Sequence, residues 1–187
     1  MTDAAKYSAM ERLRDGRQIE IRALKPTDEK DMLAAVDRTS AQSLYRRFFG
    51  AKRHFSESEK AFFLDVDFVN HVALAAVAED SGRRFIVGGG RYVVVRPGTA
   101  EVAFAVIDDY QGQGIGAALM RHLAQLARDA GIKELIAEVL PENIPMLKVF
   151  QKSGLGLQTK HRAGVVDVTL SVTNDVTRGC AGSRFDG

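Results

Sequence analysis

The chain has 187 residues, 45% of them hydrophobic, and carries 26 lysines and arginines against 24 aspartates and glutamates. That is enough apolar material for one domain with a full core, and too balanced a charge for a nucleic-acid footprint. No apolar run approaches the roughly 18 to 20 residues of a membrane span, the N-terminus lacks a secretory apolar segment, a single cysteine excludes an intramolecular disulfide, and four scattered histidines make no metal-ligand spacing, so a cytoplasmic protein without a metal is expected.

Residues 1–18 are polar and read as a loose arm or a lead-in helix, after which residues 19–24 alternate as an edge strand. Thr27, Asp28 and Glu29 mark a helix start. A second helix is predicted over about residues 40–49, with Leu44 and Phe48 four apart, and Ser56-Glu57-Ser58-Glu59 is a capping box for a third. The basic clusters Arg46-Arg47 and Lys52-Arg53-His54 read as solvated faces. Residues 72–79, 84–95 and 100–107 follow as consecutive strands of an antiparallel meander, linked by Glu-Asp-Ser-Gly and Arg-Pro-Gly-Thr turns. Gly88-Gly89-Gly90 lies inside the middle strand between apolar β-formers, which indicates a bulge or a close backbone passage.

A glycine-rich turn then opens an amphipathic helix with Leu119, Leu123, Leu126 and Ala130 on one stripe and Gly131 as its stop. A buried strand is predicted over residues 135–140, a short helix after Asn143, and a closing hairpin from residues 156–161 and 165–172. Residues 174–187, which include Cys180, have little to bury and read as disordered. The expected organisation is a single domain over residues 19–172 between a loose arm and a tail of residues 173–187, with an α+β (mixed α/β) architecture and no internal repeat.

Residues 101–117, Glu-Val-Ala-Phe-Ala-Val-Ile-Asp-Asp-Tyr-Gln-Gly-Gln-Gly-Ile-Gly-Ala, carry most of the functional information. The first N–H groups of a helix have no intrahelical partner and sit at the positive end of its dipole, so a strand, a glycine turn and a helix in this order make an anion cradle. Gly112, Gly114 and Gly116 can take positive φ and let the backbone approach a ligand. A Walker A loop needs a terminal Gly-Lys-Ser/Thr, which is absent. Gly112, Gly114 and Ala117 fit the dinucleotide fingerprint, but that pattern follows the first strand of a doubly wound sheet, whereas roughly a hundred residues precede it here. The third pattern, Gln/Arg-x-x-Gly-x-Gly/Ala at Gln111, Gly114 and Gly116, resembles the pyrophosphate loop of the GNAT superfamily of N-acetyltransferases.

The resemblance continues downstream, where Glu138-Val-Leu-Pro-Glu-Asn143 leads into a short helix that closes at Gly154-Leu155. Leu155 replaces the Phe usual in that family, and Phe150 stands where many members place a Tyr that protonates the departing thiolate. Phe cannot do that, which leaves water or another hydroxyl for the task; as a plain hydrophobe, Phe150 also reads as core packing beside Leu147. The resemblance implies that two central strands, residues 100–107 and 135–140, splay apart around the pantetheine of acetyl-CoA. It further implies that the amides of Val106 and Ile107 bind pantetheine and polarise the thioester. The pyrophosphate would rest on Gln111, Gly112, Gln113, Gly114, Ile115, Gly116 and Ala117, with Asn143, Met146 and Phe150 also against the cofactor.

A lysine amine has an ordinary pKa of about 10.4, so only about one in a thousand is neutral at physiological pH and a base is needed. Glu101, in a sheet beside Val102, Ala103 and Phe104, is expected to be desolvated as a general base requires; the alternative is a surface carboxylate at a strand start. Glu101 with the turn after it, the run Ser43-Leu-Tyr-Arg-Arg-Phe-Phe-Gly50 and residues 65–76 look like the catalytic domain of the Pat-type protein lysine acetyltransferases. Those enzymes use a Glu at this position and acetylate acyl-CoA synthetases. Relatives also carry a synthetase-like or cyclic-nucleotide-binding domain, for which this chain is too short, so such regulation is expected to be absent or to act in trans.

The expected function is transfer of acetyl from acetyl-CoA to a protein lysine. Two alternatives stay open: acetylation of a small amine, and a non-catalytic acyl-CoA sensor that keeps the cradle without needing Glu101. The acceptor side, residues 26–70, is nonspecific in sequence, and Asp65 and Asp67 read either as contacts for a cationic acceptor or as loop residues.

Overall fold

The computed structural model describes residues 3–49 and 54–173. Eight strands form one sheet: β1 (Ser8–Arg12), β2 (Gln18–Ala23), β3 (His71–Asp80), β4 (Arg83–Arg96), β5 (Thr99–Val106), β6 (Glu134–Val139), β7 (Gly156–Arg162) and β8 (Val165–Ser171), in the order β1-β2-β3-β4-β5-β6-β8-β7. Five helices accompany it: α1 (Glu29–Asp37), α2 (Ala41–Phe48), α3 (Glu57–Leu64), α4 (Ile115–Asp129) and α5 (Ile144–Gln151). Every neighbouring pair is antiparallel except β5 with β6, which is the mixed α+β architecture expected from the sequence.

The arm is a correction. Residues 8–12 are not loose but pair with β2 as the edge strand, which makes residues 18–23 the second strand rather than the edge. Leu13, in the turn between them, is buried, and Glu11 of β1 accepts a hydrogen bond from Arg121 of α4 at 2.6 Å while lying 2.8 Å from His122 Nε2. Tyr7 meets the other ring nitrogen of His122. A half-exposed five-residue strand has too few alternations to announce itself, and what orders it is contact with a helix about 110 residues away in the chain. The expectations for Cys180, for residues 174–187 and for Lys52 and Arg53 lie outside the described residues.

The helix starts follow their capping chemistry. Ser40 accepts from Ser43 N–H at the head of α2, and Ser56 and Glu59 close the capping box of α3. One face of the sheet, with Leu74, Ala76, Tyr92, Val102 and Phe104, packs on Leu119, Leu123 and Leu126 of α4. The other face, with Ala73, Ala75, Val77 and Ile86, is covered by Met32 and Ala35 of α1 and Leu64 of α3. The glycines of β4 serve both anticipated purposes. The β3–β4 register shifts so that Val87 is the extra residue of a bulge, and a Cβ at Gly90 would sit 2.6 Å from Phe104 Cδ1.

Pairing between β5 and β6 lasts only from Thr99–Glu134 to Glu101–Ile136. Beyond that rung β6 stays with β8 up to Val139, while β5 stays with β4 up to Val106, so the two strands separate into a V.

The position of α1 depends on an ion pair. Arg22 of β2 donates Nη1 and Nη2 to Asp28 at 2.7 and 2.8 Å, and Lys25 N–H adds a third bond at 2.8 Å. Burial, the largest influence, pushes the Asp28 carboxyl up, yet the Arg22 fork and the Lys25 amide together hold it below the ordinary carboxylate value. A carboxylate so lowered stabilises the fold above its unfolded-state pKa and loses that contribution as pH falls through its folded value. Asp28→Asn should therefore cost about 3 kcal/mol at neutral pH, since the side chain of Arg22 is only 13% exposed and would be left uncompensated. It should also flatten the acid limb of the stability profile below about pH 4. Urea unfolding across pH tests both; an unchanged midpoint at neutral pH would mean that α1 is held by packing alone.

Candidate active site

A cavity of about 420 Å³ fills the V between β5, β6 and α5. Glu101, Val106, Gln111, Gly112, Gly116, Asn143, Met146 and Phe150 all line it, so the sequence-predicted site residues largely converge. Ile107 does not belong with them. Its N–H donates to Val87 O at 3.0 Å across the β4 ladder, and adjacent amides of an extended strand point opposite ways. The N–H groups that face the gap are therefore those of Val106 and Phe104. Phe104 was missed by sequence reading, although strand alternation alone says that Val106 and Ile107 cannot both face one side.

The glycine turn has the backbone of a cradle. Gly112 and Gly114 take φ of 75° and 98°, and Gly114 caps the N-terminus of α4. A Cβ at either would meet no protein atom within 4 Å, so the space in front of the turn is open. Gly116 is different and corrects the expectation of positive φ. It is helical, and its missing Cβ lets Val149 of α5 approach, 3.3 Å from where that atom would be. Ile115 is buried and Ala117 exposed, and the backbone amides of both lie in the first turn of α4, where no intrahelical partner reaches them.

Arg14, from the supposedly loose arm, braces the turn from behind. Its guanidinium donates to Gly112 O at 3.0 Å and its N–H to Gln113 O at 3.3 Å. In a trans peptide the C=O and the next N–H point oppositely, so carbonyls held toward Arg14 turn the amides of Gln113 and Gly114 outward. Gln111 is likewise committed within the protein. Its Nε2 shares two hydrogens among Ser43 Oγ, Val106 O and Asp108 Oδ1 at 3.1, 3.1 and 3.2 Å, joining α2 to the end of β5.

Below the gap, buried Asn143 caps α5 by accepting from Met146 N–H at 3.3 Å. Phe150 is buried against Phe104, ring centroids 6.0 Å apart, so its packing partner is the β5 aromatic rather than Leu147 alone. Asp67 follows the loop reading: its Oδ1 accepts from the N–H groups of Val69, Asn70 and His71 at 2.9, 2.8 and 2.7 Å.

Glu101 stands on the last shared rung of β5 and β6, on the cavity wall. Its side chain is exposed, contrary to the desolvation expected from its neighbours. The reason is the two-residue alternation, which sends Val102 and Phe104 to the α4 face and leaves only Ala103 and Ala105 beside Glu101. Arg47, expected on a solvated face, is instead partly buried between α2 and the sheet. Burial lowers its guanidinium pKa, and the Glu101 carboxylate pulls in the other direction. Among the described residues there is no cluster of ligating side chains for a metal and no helix long and apolar enough to cross a membrane.

Known proteins resemble this arrangement closely. The acetyltransferase (GNAT) family model matches residues 38–155. An acetyltransferase of Pseudomonas aeruginosa is 33% identical over 127 residues, 67% of this chain and 68% of that protein. The acetyltransferase Pat of Mycolicibacterium smegmatis is 31% identical over 86% of this chain but 47% of its own length, so the chain spans about half of that protein. Among solved structures, the GNAT domain of S. lividans PAT matches with a TM-score of 0.79 at 34% identity, over 88% of this chain and 96% of that one. The cAMP-binding acyltransferase from Mycobacterium smegmatis matches at 0.61 and 29% identity, over 90% of this chain and 48% of that one.

The open face of the turn generates a test. Gly114→Val puts a branched side chain into that space and strains a backbone at positive φ. CoA affinity, measured by titration calorimetry on protein whose fold is verified by circular dichroism, should weaken at least about tenfold, since one or two charge-assisted bonds of roughly 1.5 to 3 kcal/mol each are lost. An unchanged Kd in a folded variant would falsify the cradle.

Proposed function

Because the chain belongs to the acetyltransferase (GNAT) family, we propose that it moves the acetyl group of acetyl-CoA onto an amine by direct attack, with a protein lysine, such as one on an acyl-CoA synthetase, as the favoured acceptor. The observation that carries this reading is the convergence of three features on one cavity: the amides of Phe104 and Val106 in the gap, the glycine turn at one end, and Glu101 on the wall. Backbone donors in an open strand edge suit a pantetheine chain and the oxygen of a thioester. The amine nitrogen attacks the carbonyl carbon, Glu101 accepts its proton directly or through water, and the carbon–sulfur bond breaks as the carbonyl re-forms.

Phe150 has no proton to give the departing sulfur. A thiol with an ordinary pKa of about 8.5 leaves readily as thiolate and can be protonated by water, so the missing hydroxyl is not an obstacle. The lysine acceptor rests on the likeness to Pat-type enzymes in the Tyr45-Arg-Arg-Phe-Phe49 run and at Glu101. It is supported by exposed Tyr45 and Phe49 on and just after α2, with Phe49 at the cavity rim, where a macromolecular acceptor can approach. Such an enzyme would work in the cytoplasm, beside acetyl-CoA and its protein substrates.

Glu101→Gln keeps the shape of the side chain and removes its proton acceptor. It should leave acetyl-CoA binding intact and lower kcat/KM for a lysine peptide by about 10² to 10⁴, followed by release of free CoA thiol. Part of the loss should return toward about pH 9, where more of the amine is already neutral. Wild-type rates in the variant across that range, or loss of acetyl-CoA binding, would remove Glu101 from the role of base.

A further inference from the structure

On the side of the sheet that carries Glu101 lies a second, smaller cavity of about 120 Å³, bordered by α1, α2, α3 and the strands β3, β4 and β5. It adjoins the first: Arg47, Phe48, Ala103 and Ala105 border both. Its floor has almost no side chains, being made of Gly89, Ala103 and Ala105, and its walls are apolar, with Leu24, Met32 and Leu44. Into this surface two guanidinium groups are set. Arg47 lies over the ring of Phe48 at 4.9 Å and Arg91 over Phe63 at 4.6 Å. Arg91 spends Nη1 on Phe63 O at 3.2 Å and lies 3.0 Å from His71 Nε2.

Neither arginine has an acidic partner in contact among the described residues, whose ion pairs all use other cations. The charge of Glu101 bears on Arg47, and the like charge of Arg47 bears on Arg91. Partly buried cations without counter-charges destabilise a fold. Their retention around a small cavity is accounted for by a ligand that supplies the anion. A planar guanidinium matches a carboxylate in a two-pronged contact, and the apolar walls suit a carboxylate on a hydrocarbon stem.

We propose that Arg47 and Arg91 form a carboxylate subsite of the acceptor pocket, so that the acceptor carries a carboxylate a few bonds from the amine that reaches Glu101. The inference rests on the amine-acetyltransferase reading. Two sources share this chemistry: an acidic side chain next to the acceptor lysine in a protein, and the α-carboxylate of a free amino acid. The helix α2 then does more than cover the sheet, since Arg47 selects the acceptor while its neighbour Ser43 holds Gln111 at the cofactor turn.

Matched probes test this on the full chain in the presence of CoA. Titration calorimetry compares L-lysine with cadaverine, which lacks the α-carboxylate, and a terminally blocked Glu-Lys-Gly peptide with blocked Gly-Lys-Gly. The carboxylate-bearing member of at least one pair should bind about tenfold or more tightly, the worth of one charge-assisted bond. The pair that discriminates identifies the source. In Arg47→Gln and Arg91→Gln the preference should fall below about threefold while CoA affinity is kept; if Arg91→Gln does not fold, Arg47→Gln decides. Equal binding within both pairs, or a preference that survives in folded Arg47→Gln, overturns the subsite. Failure of every amine to release thiol from acetyl-CoA would instead sink the acetyltransfer reading, and the binding comparison would still decide the subsite.

Discussion

A parallel strand pair that stops after three rungs is the constraint on which the rest of this structure depends. Strand amides inside a sheet are obligatory hydrogen-bonding groups, and leaving those of Phe104 and Val106 without a neighbouring strand is costly unless water or a ligand serves them. The molecule holds the strands apart from several directions. β4 keeps β5 through its full length and β8 keeps β6, so neither is free to drift back into register. The contact of Phe104 with Phe150 wedges the aromatic side of α5 under the opening. The separation is thus a product of packing on both flanks, not of slackness at the gap.

The same economy runs through the cradle. Its amides are aimed by bonds made to their opposite ends, from Arg14 on one side, while Gln111 ties the end of β5 to α2. Asp108 accepts from Ser40 N–H at 3.2 Å, a second tie between the same loop and the head of α2. The exposed Arg38–Asp109 pair nearby is worth little by comparison, about 0 to 1 kcal/mol. Because α2 also carries Arg47, which lines the same cavity as Glu101, the helix proposed to shape the acceptor side is bonded to the loop proposed to shape the cofactor side.

Legibility in the sequence followed the range of the interactions. The capped helices, the meander with its bulge and the glycine turn are written in residues within a few positions of one another, and each stands where those residues imply. The edge strand β1 was unreadable because Glu11 and Tyr7 are ordered by contacts with the distant α4. Glu101 lies exposed on the cavity wall where desolvation was expected, since sequence neighbours on a strand belong to opposite faces. Ile107 failed for a related reason: a list of adjacent amides ignores that only alternate ones share a side. Arg47 carried no signal at all, because a basic pair on a short helix looks the same whether it faces water or a cavity.

These failures divide along the two halves of the site. The half proposed to hold the cofactor is built from backbone, in the amides of a strand edge and a helix start, and such backbone geometry requires glycines and caps at fixed spacing. The acceptor half is built from side chains on α1, α2 and α3, whose residues need only an apolar inner stripe to fold. Cavity-facing positions of these helices other than Ser43, which holds Gln111 at the end of β5, take no part in that backbone. On the proposed reading, a fold so divided can keep one acyl donor while its acceptor changes, and the acceptor has to be sought in the charges that line the pocket.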